Sequence, residues 1–164
     1  MKQIDRTAKI WEPVAIVATN HEIIIGPKCR IGQFVFIACK KLVMEEGSEI
    51  SPLSVLGGGG SIHMGKYSTI DYGAKLIPGT FTTEGQYMND AIPEKTVVVN
   101  GSITLGEGAC IGAGAVICVT EKCPNITIGD FAVIGANSYI DKSVEPHMIV
   151  HPKITYQVER RKTK

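Results

Sequence analysis

Apolar residues recur every sixth position along this chain, in blocks of three. Ile4, Ile10 and Ile16 form the first block, Ile25, Ile31 and Ile37 the second, Met44, Ile50 and Leu56 the third, and Met64, Ile70 and Leu76 the fourth. After an interruption come Leu105, Ile111 and Ile117, then Ile128, Ile134 and Ile140. An α-helix turns once in about 3.6 residues and would smear such a stripe around its axis, while a single strand simply alternates. A chain coiling through three short strands per turn satisfies the pattern. Each ladder residue then points inward and stacks about 4.8 Å above its equivalent in the coil below. About six coils, each triangular in section, give a prism on the order of 30 Å long.

Two further positions support this reading. The residue four places after the ladder is mostly small, as at Cys29, Val35, Ser68, Ala74, Thr80, Ala109, Ala115, Ala132 and Ser138, with Lys41 and Glu121 as departures. A crowded corner interior requires small residues. The residue directly after the ladder is often glycine, as at Gly26, Gly32, Gly65, Gly106, Gly112, Gly129 and Gly135. Glycine permits a positive φ and a close backbone approach, so these positions are expected at corners.

The register slips at 22–24, at Val43, at 62–63, at 82–104 and at 123–127, each time after the third hexad of a block. All insertions therefore leave from one edge of the prism, where a repeat protein usually builds its binding site. The longest, about 82–104, is polar, carries Tyr87 and reaches Pro93. A loop of this length inside a compact domain points to function, and Val97–Val99 is expected to bring it back as a strand.

Composition narrows the possibilities. The 164 residues suit one domain, 1–150, followed by a short C-terminal tail, 151–164. A net charge of +1 gives no reason to expect nucleic acid as a partner, and the basic end at Arg160, Arg161, Lys162 and Lys164 reads as a solvated tail. No window is long and apolar enough to span a bilayer, and Met1–Arg6 lacks the apolar run of a signal peptide, so a cytoplasmic protein is expected. The five cysteines form no C-x-x-C pair and read as reduced, mostly buried thiols.

The runs beginning Leu105-Gly-Glu-Gly-Ala-Cys-Ile-Gly-Ala-Gly-Ala and Ile128-Gly-Asp-Phe-Ala-Val-Ile-Gly-Ala-Asn-Ser resemble the hexapeptide-repeat acyltransferases, in the branch of the galactoside and xenobiotic O-acetyltransferases. Glu84-Gly85, Asn89 and Pro93-Glu94 resemble the acceptor-side loop of sugar acetyltransferases from surface-polysaccharide pathways. The resemblance spans nearly the whole chain. It implies an all-β, left-handed parallel β-helix and a homotrimer with sites between subunits. It also implies acetyl-CoA as co-substrate, no metal, and a sugar or nucleotide-sugar acceptor near Tyr87, Asn89 and Asp90. The CoA arm is expected along the C-terminal coils, pairing with backbone at Ala113, Gly114 and Ala136, with its phosphates near Lys142 and Lys153. Two departures stand out: Gly79–Thr83 lacks the family's histidine, and Val150-His151-Pro152 replaces its Gly-x-Pro.

Acyl transfer to a hydroxyl calls for a base that titrates near neutrality. His63 is the first candidate, because its slip precedes the long loop by one coil on the same edge. Glu84 is the second, since desolvation can raise a carboxylate's pKa. His21 lies further down that edge, and His147 and His151 follow the last coil. An amine acceptor relaxes the demand for a strong base, and the missing histidine equally allows a catalytically degenerate member. Two other classes compete: a zinc enzyme needing three converging imidazoles, for which His63, His147 and His151 are too dispersed along the stack, and a purely structural or binding β-helix.

Overall fold

The computed structural model describes residues 1–17, 22–82, 84–85, 87–89 and 91–152. It is a parallel β-solenoid of about six turns with three faces. The first face stacks Lys2–Ile4, Glu22–Ile25, Lys41–Met44, Ser61–Met64, Ser102–Leu105 and Asn125–Ile128. The second stacks Lys9–Ile10, Arg30–Ile31, Glu49–Ile50, Thr69–Ile70, Cys110–Ile111, Val133–Ile134 and Ile149–Val150. The third stacks Ala15–Ile16, Phe36–Ile37, Val55–Leu56, Lys75–Ile77, Val116–Cys118 and Tyr139–Ile140. Every pairing within these faces is parallel and joins residues of neighbouring coils, so Ile31, Ile50, Ile70, Ile111 and Ile134 form one unbroken column.

The sixfold ladder is the core. From Ile25 to Ile140 every ladder residue is buried, whereas Ile4 is exposed and Ile10 and Ile16 are half-buried, because the first coil has no neighbour below. Burying a side chain of this size stabilises by roughly 1.5–3 kcal/mol, and a terminal coil collects only part of that. The first face contributes a second inward column, Ile23, Leu42, Ile62, Ile103 and Ile126, also buried. Its strands are four residues long from the second coil on, against two or three on the other faces. The extra residues therefore widen one face, and the variable segments sit a few positions earlier than the sequence pattern placed them, between the third face and the first.

The small corner residues lie inside as expected, except Thr80, which is only half-buried and belongs to a separate hairpin. Two buried corner serines return their hydroxyls to main chain, Ser48 donating to Glu45 O at 2.9 Å and Ser68 to Gly65 O at 2.7 Å, while the Ser138 hydroxyl has no partner among the described residues. The glycines after the ladder are there for a different reason from the one expected. Their φ is not positive; a Cβ on Gly26 would stand 2.7 Å from Met44 O, and one on Gly65 2.8 Å from Leu105 O. They are required by the approach of the next coil. The left-handed backbone at the turns is carried by Lys28, Phe34, Leu53, Tyr67, Phe131, Asn137 and His147, and by Gly47, Gly73, Gly108 and Gly114.

The long insertion leaves the third face after Ile77 and rejoins the first face at Ser102, earlier at both ends than 82–104. Gly79–Phe81 pairs antiparallel with Val98–Asn100, and Ser102 has already rejoined the first face. The returning valines thus pair with the strand that leads out, not with the prism. The tip holds a short 3-10 turn, Pro93–Lys95. Of the tail 151–164, only 151–152 are among the described residues.

Candidate active site

The hairpin at the loop root divides the corner between the third and first faces into two cavities. One, of about 530 Å³, lies on the side of the earlier coils and is lined by Glu22, Lys40, Lys41, Gly59, Gly60, Ser61, Asn100 and Gly101. The other, of about 370 Å³, lies toward the C-terminal coils, where Thr80–Thr82 face Cys118–Lys122, Tyr139 and Asp141. The root itself is tightly packed: a Cβ on Gly79 would stand 2.7 Å from Gly59 N and 3.0 Å from the Asn100 Oδ1. Four successive glycines, Gly57 to Gly60, pass beneath the hairpin. That run of four is visible in the sequence as a second break in the repeat at this corner.

In the second cavity the Cys118 thiol and the Tyr139 hydroxyl share one wall, and the thiol donates to Val119 O at 3.5 Å. Burial raises the pKa of both groups, so at neutral pH each is a protonated, neutral donor. Cys39, pushed up to about 12 by burial, is structural. All five cysteines are free thiols.

His63 does not sit at the corner. It is the third residue of Ser61–Met64, directed outward from the first face between Val43 and Thr104 of the neighbouring strands. Its Nε2 lies 2.9 Å from Glu45 Oε1. A carboxylate on one ring nitrogen orients an imidazole, an arrangement suited to a general base. Glu84 is exposed, and its amide donates to Thr82 Oγ1 at 3.3 Å. No hydrogen bond joins His63 to the described loop residues in a single chain. Tyr87 lies near Lys95, whose Nζ is 5.9 Å from the ring centroid, and the Asn89 side chain accepts from the Ala91 amide at 3.0 Å. Both therefore help to shape the loop. Asp90, His21 and Lys153 lie outside the described residues.

The residues expected to meet CoA fall on two corners. Ala113, Gly114 and Ala136 share the corner between the second and third faces, linked by Asn137 N donating to Ala113 O at 2.9 Å. Gly114 N is engaged by Tyr72 O at 2.9 Å, whereas the Ala113 and Ala136 amides have no acceptor among the described residues. Lys142 follows Tyr139–Ile140 and is exposed at the next corner, across the width of the third face. His147 stacks on Phe131 with ring centroids 5.4 Å apart. Among the described residues no three metal-ligating side chains converge.

No family model matches the chain, and no curated protein does. Solved structures do. The N-acyltransferase AntD from Bacillus cereus, in complex with dTDP and 3-hydroxybutyryl-CoA, is 22% identical with a TM-score of 0.69, over 97% of this chain and 79% of that one. A hexapeptide transferase family protein from Anaplasma phagocytophilum is 19% identical with a TM-score of 0.59, over 90% and 72% of the two chains. The chain has the hexapeptide-repeat transferase fold. A hexapeptide-repeat containing acetyltransferase from Vibrio cholerae is similar too, at 19% identity and a TM-score of 0.54, over 87% and 64% of the chains. Within this hexapeptide-repeat fold, a mutant AntD was solved with dTDP-4-amino-4,6-dideoxyglucose and coenzyme A; it is 24% identical over 98% of this chain, with a TM-score of 0.70.

Proposed function

We propose that this protein is an acyl-CoA-dependent acyltransferase acting on an amine or hydroxyl of a sugar or nucleotide sugar, in surface-polysaccharide biosynthesis. The observation that carries the reading is the single long excursion on a regular solenoid, with a cavity on either side of its root. The same fold, over nearly the whole chain, serves an N-acyltransferase that binds dTDP and an acyl-CoA. Acetyl-CoA is the donor to test first, beside 3-hydroxybutyryl-CoA. The active species is a homotrimer in the cytoplasm, where acyl-CoA is available; among the described residues no helix is long and apolar enough to cross a membrane.

In the reaction the acceptor nitrogen or oxygen attacks the thioester carbonyl. A C–N or C–O bond forms, the C–S bond breaks, and the acceptor's proton finally reaches the CoA thiolate. An amine that binds unprotonated is already nucleophilic, which suits a site whose leading strand carries no imidazole. A hydroxyl acceptor needs a base. His63, oriented by Glu45, is the first candidate and Glu84 the second, with a neighbouring subunit bringing the two surfaces together. Tyr87, Asn89 and Asp90 line the acceptor side. Ala113 and Ala136 offer free amides to the pantetheine arm with Gly114 at the turn between them, while Lys142 and Lys153 meet the CoA phosphates.

Calorimetry with acetyl-CoA and 3-hydroxybutyryl-CoA, alongside native mass, tests this. Micromolar binding to a trimer, followed by transfer to dTDP-4-amino-4,6-dideoxyglucose, is expected. A folded protein that binds neither donor is instead a degenerate or structural member of the fold, a reading the missing histidine also allows.

A further inference from the structure

The corner below the loop root changes character between two neighbouring coils. In the lower coil the amides of Ala38, Cys39 and Lys40 all donate, the first two to Leu56 O at 2.8 and 3.1 Å and the third to Gly60 O at 2.9 Å. In the coil above, Gly57 donates to Leu76 O at 3.0 Å and Ser61 to Gly101 O at 3.0 Å. Between them, the amides of Gly58, Gly59 and Gly60 have no acceptor among the described residues. Gly60 is buried, and a buried N–H without a partner is rare and costly. Packing explains the missing side chains, since a Cβ on Gly60 would meet the carbonyls of Gly101 and Pro78, and one on Gly58 would stand 2.5 Å from Gly79 O. It does not explain three unengaged donors in succession.

Gly59 and Gly60 line the larger cavity together with Lys40, Ser61 and Asn100. Among the described residues, the Ser61 hydroxyl, the Asn100 side-chain amide and the Lys40 ammonium have no hydrogen-bond or ion-pair partner. Glu22, the one carboxylate on the wall, is held by Lys41 at 3.0 Å. The cavity thus gathers neutral donors and one unneutralised cation, with its acidic group already paired. Successive free amides beside a left-handed residue, here Gly58 at φ +87°, form a concavity that favours anions, and a lysine adds a mobile point charge suited to phosphate.

We propose that this cavity binds the diphosphate of a nucleotide-linked acceptor, with the Gly59 and Gly60 amides donating to phosphate oxygens and Lys40 balancing the charge. The proposal rests on the acyltransferase reading and deepens it: the acceptor is a nucleotide sugar, held by its diphosphate, and not a free sugar. CoA also carries a diphosphate, so the two sources must be separated by experiment.

Lys40→Ala, Lys40→Glu and Lys40→Arg serve as probes in the full-length protein. Lys40 is exposed, and it is its main-chain amide that engages Gly60, so the fold is kept. Calorimetry with dTDP and, separately, with CoA should show dTDP affinity falling about tenfold in Lys40→Ala, further in Lys40→Glu, and restored in Lys40→Arg, with CoA unchanged. Loss confined to CoA would hand the cavity to the donor and overturn the acceptor assignment. Unchanged binding of both, or a wild-type protein that does not bind dTDP, would overturn the site. Wild-type protein that binds dTDP through Lys40 but binds no acyl-CoA would leave the site standing and remove the acyltransferase reading.

Discussion

Two corners of the same prism behave differently. Between the second and third faces every turn from the second coil on is alike: Phe34 N donates to Pro13 O, Leu53 to Gln33, Gly73 to Pro52, Gly114 to Tyr72 and Asn137 to Ala113. Each donor has φ between 60° and 68°, so phenylalanine and leucine accept a conformation that glycine adopts freely. The intercoil hydrogen bond and the buried small residue beside it offset that strain. An extra residue there would break the bond to the coil below. Between the third and first faces no such repeat exists among the described residues. Successive coils use a fully engaged bend at Ala38–Lys40, a glycine run with free amides, a hairpin, and a turn closed by Thr120 and Cys123. Where the hydrogen-bond stack is continuous the chain has one length; where it is interrupted, insertions and cavities accumulate. The regular corner belongs to the stabilising frame, and the irregular one carries the proposed acceptor site.

Excising the loop tip, 84–96, and closing the hairpin with a short turn is the largest test of that division. Turnover should fall on the order of 10³-fold, because substrate positioning is lost, while the thermal midpoint changes little. A large drop in the midpoint would mean the loop is part of the stabilising frame. In the opposite sense, Ile111→Ala removes a fully buried rung and should cost about 2–5 kcal/mol in denaturant unfolding, with activity per folded molecule retained. His63→Ala should lower turnover about 10²-fold with the assembly intact, if the imidazole paired with Glu45 is the base. Full activity in that variant would shift attention to Glu84 or to an amine acceptor. The smallest contrast compares two glycines. Gly114→Ala, at φ +68° with its Cβ 2.5 Å from Asn137 Oδ1, should cost about 1 kcal/mol or more. Gly57→Ala meets nothing closer than 3.6 Å and should stay within about 0.5 kcal/mol. Equal costs at both would erase the distinction between the corners.

Much of the fold was legible in the residues alone. The sixfold ladder specifies inward positions because each rung is buried by identical neighbours, so a local repeat carries a global structure. The same logic located the variable edge and the long insertion that leaves it. The candidate site was less legible. Neither the position of His63 mid-strand on the first face nor its pairing with Glu45 follows from spacing, because the second inward column that widens this face is created by pairing between coils. Ala113, Gly114 and Ala136, named together by the family resemblance, share one corner, but Lys142 falls on another, since a few residues along the chain cross a whole face of the prism.

Composition and periodicity, then, determine a three-faced parallel solenoid with one variable edge, because burial of apolar rungs is a local, repeating demand. Only the tertiary structure decides which main-chain donors at that edge are left without partners. The amides of Ala38–Lys40 are engaged and those of Gly58–Gly60 are not, although both segments turn the same corner. That difference depends on which carbonyl the next coil presents, a property of two segments stacked in space.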